Sequence, residues 1–218
     1  MLYHRKRAYL IAVEDWEAAR DLGLRSLALN ERLGSPRSRC WHGAWTLDQQ
    51  CQACRALGKV AELAGHADHL VEVASRRGDL RRAEAAGAIW QAVARRAKGD
   101  EPGASEAFHR GLALLEDLER RDSIAADGLA AYHEAGGDPR AALGVRDREL
   151  AEVSRKGMLH RAGQIRLERR RLLAGLGELD AADLEAVRAT AARLRVPGWY
   201  LDRLRRFEPP GPSRAGAT

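Results

Sequence analysis

A short glycine-and-acid turn recurs along this chain, and it constrains the fold more than any other feature. It reads "RRGDLRRA" at 76–83, "AKGDEPGA" at 97–104, "AGGDPRAA" at 135–142 and "LGELDAAD" at 176–183; "VEDWEAA" at 13–19 is a glycine-free version. Between these turns run stretches with apolar residues at helical spacing. Glycine ends a helix because it adopts the left-handed conformation without a Cβ penalty. The acidic residue that follows caps the next helix and suits its positive N-terminal end. Proline fits the first helical turn, where its missing N–H costs nothing. The repeated stop-and-restart signal predicts a chain of antiparallel helices joined by tight turns.

The composition agrees. Alanine, leucine, arginine and glutamate dominate, and no run alternates apolar with polar residues, so an all-α fold is expected. The spacing predicts helices over Leu2–Val13, Trp16–Leu33, Ser38–Ala64, Ala67–Arg77, Leu80–Lys98, Pro102–Arg121, Ile124–Glu134, Pro139–Lys156, Leu159–Gly175, Ala181–Arg195 and Trp199–Phe207. That is about ten helices and a C-terminal cap helix holding Trp199 and Tyr200. One domain is expected over residues 1–207, followed by a disordered Pro/Gly-rich tail at 208–218. The helices pair into hairpins with a period near forty residues, as in a stacked array in which each hairpin buries a face on its neighbours.

The stretch Ala85–Glu116 resembles a tetratricopeptide repeat. Ala92, Gly99, Asp100, Ala104, Phe108, Gly111, Leu112 and Leu114 stand where that pattern places its small, turn, aromatic and leucine residues. Ile124–Glu152 is a weaker match through Leu129, Ala130, Gly137, Asp138, Ala142 and Leu150, and Asp15, Ala19, Leu27 and Leu29 fit a second half-repeat. The chain departs from the family in three ways. Trp90 sits about two residues late, the period is long, and the closing prolines are missing. The resemblance implies a divergent tetratricopeptide-like solenoid. It also implies a non-catalytic adaptor or regulatory subunit that holds a partner peptide or helix in a concave groove.

Two stretches carry candidate chemistry. In "SRCWHGAWTLDQQCQAC" (38–54) all three cysteines appear beside His42. On a continuous helix, Cys40, Ala44, Leu47, Cys51, Cys54 and Gly58 fall within about 80° of arc, which is a packing seam. Cys40 and Cys51 are then about 16 Å apart along the axis. They cannot share a zinc ion, whose bonds to sulfur are about 2.3 Å. A site of Cys40, His42, Cys51 and Cys54 therefore requires a break in the helix near Gly43–Asp48. His66 and His69, three residues apart, are a further metal candidate, although such a pair also suits a solvated helix start.

In "HRAGQIRLERRR" (160–171) Arg169 falls inside an apolar stripe and Arg166 at its edge. Buried charge must be paired. The preceding helix offers Asp147, Glu149 and Glu152 for an internal ion pair. In the alternative, Arg166, Arg169 and Arg170 line a groove that grips an acidic segment of a protein partner. The net charge of +6 and the other arginine clusters keep a nucleic-acid-associated role as second choice, although few aromatics stand among them for base stacking. A Cys/His zinc protein is third. No phosphate loop, nucleophile elbow or dinucleotide fingerprint is present. No cofactor is therefore expected, and a small-molecule ligand is not. No run reaches the ~18 apolar residues that span a bilayer, and three cysteines make no secreted disulfide framework. A cytoplasmic protein is expected.

Overall fold

The computed structural model describes residues 6–7, 10–11, 14–76, 80–116 and 125–193, apart from the side chains at 36–39 and 191. These form nine helices and no strand: α1 (Trp16–Leu33), α2 (Pro36–Ala56), α3 (Val60–Ser75), α4 (Arg81–Ala97), α5 (Glu101–Glu116), α6 (Ala126–Ala135), α7 (Pro139–Arg155), α8 (Leu159–Leu176) and α9 (Ala181–Arg193). Lys6, Arg7, Leu10 and Ile11 are also helical. The expected cap helix Trp199–Phe207 and the tail 208–218 lie outside the described residues. No helix among the described residues is long and apolar enough to cross a membrane.

The turns work as their chemistry requires. Gly58, Gly99, Gly137, Gly157 and Gly177 all have φ between 68° and 80°. At each, the residue after the glycine donates its N–H back to a carbonyl five residues earlier. The bonds run from Lys59 to Cys54, Asp100 to Arg95, Asp138 to His133, Met158 to Val153 and Glu178 to Leu173, all 2.8–3.0 Å. This Schellman closure satisfies carbonyls that the helix end would leave orphaned. Acidic caps start the next helices. Asp15 accepts from Ala18 N at 3.2 Å, Asp100 from Gly103 N at 3.0 Å and Asp180 from Asp183 N at 2.7 Å.

One expected boundary is wrong. Ser38–Ala64 is not one helix. Gly58 sits in a left-handed turn and not in a packing seam, so α2 ends at Ala56 and α3 begins at Val60. His66 and His69 consequently lie in the middle of α3, not at a helix start.

The chain divides into two compact units, one ending at Asp138 and one beginning at Pro139. In the first, α4 is the central element. It packs on α3 and α5, its sequence neighbours, and also on α2 and α6. From Ala83 to Ala94 nearly every residue is buried, which is the composition of a helix surrounded by others. Small residues make that possible. A Cβ on Gly87 would stand 2.7 Å from Val71 Cγ2, and one on Gly111 would stand 2.7 Å from Ile89 Cγ1 and 3.1 Å from the Ala85 carbonyl oxygen. The Phe108 and Tyr132 rings stack at 3.9 Å, and the Arg96 guanidinium lies 3.8 Å from the Tyr132 ring centre.

The core of this unit is not wholly apolar. Trp90 Nε1 donates to Asp48 Oδ1 at 2.8 Å, Arg7 Nε to Gln49 and Gln52 Nε2 to Asp127 at 2.7 Å. Burial lowers the Arg7 pKa to about 10 in spite of the nearby Asp48 charge. In the second unit α7 and α8 form a hairpin around Val153, Ala162 and Ile165, and α9 packs on α8.

Candidate functional site

The three arginines singled out on α8 occupy three different environments. Arg169 bridges its neighbours. Its Nε donates to Asp147 on α7 and its Nη1 to Asp183 on α9 at 2.9 Å. Burial alone would lower its pKa, but the two carboxylates outweigh burial and raise it. Arg166 Nη1 donates to Thr190 Oγ1 on α9 at 2.8 Å, and that hydroxyl in turn donates to the Ala186 carbonyl at 2.8 Å. Arg170 is 2% exposed, and its Nε and Nη1 are buried with no hydrogen-bond partner among the described residues.

The isolation of Arg170 stands out because the same hairpin pairs its other buried charges. Glu149 accepts from Arg146 Nη1 at 2.8 Å and from Arg161 Nε at 2.8 Å, and Arg146 reaches Glu168 as well. Such a pair survives burial because each charge offsets the lost hydration of the other. For Arg170 Nε and Nη1 the described residues supply no such acceptor.

In the α2 stretch the helix is unbroken from Pro36 to Ala56. Cys40, His42, Cys51 and Cys54 therefore cannot assemble one metal site, because the break that such a set needs is not there. Cys51 and Cys54 are buried and Cys40 is half-buried, all as free thiols. Burial pushes the Cys51 thiol well up, and burial followed by the Glu62 charge pushes Cys54 to about 11. Thiols held protonated are poor nucleophiles, which speaks against a Cys51–Cys54 redox pair. Trp41 stays half exposed, one turn from Trp45.

Beside this helix end, the turn at Gly58 brings α3 against α2, and α1 contributes Arg20. Arg20 binds Glu62 with both arms, Nε to Oε2 at 2.7 Å and Nη2 to Oε1 at 3.2 Å. That bond holds the Glu62 carboxyl below its ordinary value. Burial lowers the pKa of His66, one turn further along α3, and its Nε2 is buried without a hydrogen-bond partner among the described residues. This juxtaposition is invisible while 38–64 is read as one helix.

The other arginine clusters are largely engaged in local bonds. Arg76 pairs with Glu72, Arg96 with Glu101, and Arg95 donates to the Gly103 carbonyl at 3.1 Å. Arg77 and the Arg203, Arg205 and Arg206 group lie outside the described residues. Comparison with protein-family models, with curated proteins and with solved structures finds no match.

Proposed function

We propose that this chain is a non-catalytic binding module, a tetratricopeptide-like array of helical hairpins that holds an acidic segment of a protein partner, in the cytoplasm. The array reading is supported by α4, which packs on helices two before and two after itself, as a stack of hairpins requires. The anion-binding reading is carried by Arg170, a buried guanidinium whose Nε and Nη1 meet no acceptor among the described residues, in a hairpin that pairs Arg146 and Arg161 with Glu149. Arg166 and Arg169 on the same helix tie α8 to α9, and Arg169 also ties it to α7. A carboxylate from a partner side chain or C-terminus supplies the missing acceptors. Nucleic acid is the less favoured partner, because Arg55, Arg76, Arg96 and Arg140 each already face a carboxylate.

The test uses Arg170→Met on the full chain. Replacing this buried guanidinium with an apolar side chain of similar length removes a desolvation cost and is expected to raise the urea midpoint of the free protein. The same change should abolish co-purification of a defined partner that the wild type retains at both low and high salt. A partner held equally well by Arg170→Met would refute the anion-binding role. Binding to heterogeneous nucleic acid that falls steeply with salt would favour the second reading instead.

A further inference from the structure

The geometry points to a divalent metal site of zinc-like preference formed by Cys54, Glu62 and His66 at the α2–α3 hairpin. One ligand atom from each of the three side chains lies within 4.8 Å of the other two. Cys54 Sγ is 4.0 Å from Glu62 Oε2. A tetrahedral ion with bonds of about 2.3 Å to sulfur and about 2.0–2.2 Å to nitrogen and oxygen holds its ligand atoms about 3.3–3.6 Å apart. The set is therefore within side-chain adjustment of coordination, with no movement of the backbone.

The backbone is already committed to this arrangement. Cys54 is in the last turn of α2, and its carbonyl accepts the Lys59 N–H at 2.8 Å, which fixes the turn. Glu62 and His66 are four residues apart on α3, so their side chains lie one above the other on one face. Arg20 from α1 grips the same carboxylate and would act as its outer-sphere partner, the role that orients carboxylate ligands in metal sites.

Three observations converge on a ligand here. The donors are of the mixed sulfur, nitrogen and oxygen kind that suits zinc and disfavours calcium or magnesium. A buried nitrogen of His66 makes no hydrogen bond among the described residues, which is a cost that coordination would remove. The charges also balance, since one thiolate and one carboxylate neutralise a dication while the imidazole stays neutral. On binding, the Cys54 S–H bond breaks, a sulfur–metal bond forms, and the proton leaves to solvent. Three protein ligands leave the fourth position to water.

The probe is Co2+ alone, then Zn2+ alone, added to the full chain after chelator treatment. The expected result is one equivalent bound, with a sulfur-to-cobalt charge-transfer band that Zn2+ displaces, and a raised melting temperature. Cys54→Ser and His66→Gln should each lose the band. Cys40→Ser, His42→Gln and His69→Gln should keep it. If Cys54→Ser fails to fold, shown by far-ultraviolet circular dichroism, His66→Gln decides. Absence of binding, or a band that survives Cys54→Ser or His66→Gln, would overturn the assignment. Loss of the band with His69→Gln alone would move the site to the other histidine and likewise refute it.

Discussion

Gly111→Ala should destabilise the protein, although alanine is the better helix former. Two effects oppose each other. Removing a glycine from a helix interior stabilises by roughly 1 kcal/mol. The new methyl, however, would stand 2.7 Å from Ile89 Cγ1 and 3.1 Å from the Ala85 carbonyl oxygen. Ile89 has little room to swing away, because it is fully buried in the core cluster. Overpacking of this kind costs about 1–3 kcal/mol. The net expectation is a loss of about 0–2 kcal/mol. Gly65→Ala on α3 is the internal control, since its Cβ meets nothing within 4 Å. It should gain about 0.4–1 kcal/mol. Urea unfolding of both variants, followed by circular dichroism, reads the difference as midpoints moving in opposite directions at unchanged slope. The double variant Ile89→Ala with Gly111→Ala should show a smaller penalty for the added methyl than the wild-type background does. If Gly111→Ala raises the midpoint as far as Gly65→Ala, the close approach of α5 to α4 is not what holds this hairpin.

Three further outcomes follow from the same geometry. Trp90→Phe removes the donor to the buried Asp48 carboxylate and should cost about 1.5–3 kcal/mol, whereas Trp45→Phe on the partly exposed face should change stability by no more than about 0.5 kcal/mol; equilibrium unfolding of both variants tests this. The Cys54 thiol is raised from its ordinary value near 9 to about 11 when folded. The folded state therefore keeps a proton that the unfolded chain releases first. Stability should be complete below pH 9 and fall as pH rises toward 11, and Cys54→Ser should flatten that limb of a pH–melting curve. Gly99→Ala forces a Cβ onto a residue with φ of 80° and should lower stability by about 1–2 kcal/mol, measured by thermal unfolding.

The arginine face shows where sequence reasoning is weakest. A helical projection places Arg166, Arg169 and Arg170 near one another, but projection knows nothing of the neighbours. Arg169 meets Asp147, as the charge pattern of the preceding helix suggested, and also Asp183 from α9, which no spacing rule connects to it. The turn at Gly58 was missed for a different reason. It lacks the acidic residue that follows Gly99, Gly137 and Gly177, and Lys59 caps nothing with its side chain. A fainter signal was present in the glycines at 58, 78, 99, 137, 157 and 177, which fall at intervals of about twenty residues or twice that.

The helices and their closures were determined by the sequence alone, because caps and left-handed glycines act within five residues of themselves. Their bonds join groups close in sequence and so leave a local signature, although packing supplies most of the helices' stability. Trp16–Leu33, with Asp15 before it, is legible for that reason. Tertiary packing decided everything that depends on which faces meet. It made α4 the buried centre, turned Asp48 and Gln49 inward toward Trp90 and Arg7, and left Arg170 Nε and Nη1 without an acceptor among the described residues. It also brought Cys54, Glu62 and His66 within reach of one ion. Those relations span neighbouring helices, and their energies depend on burial and on partners supplied from elsewhere, which a local pattern does not contain.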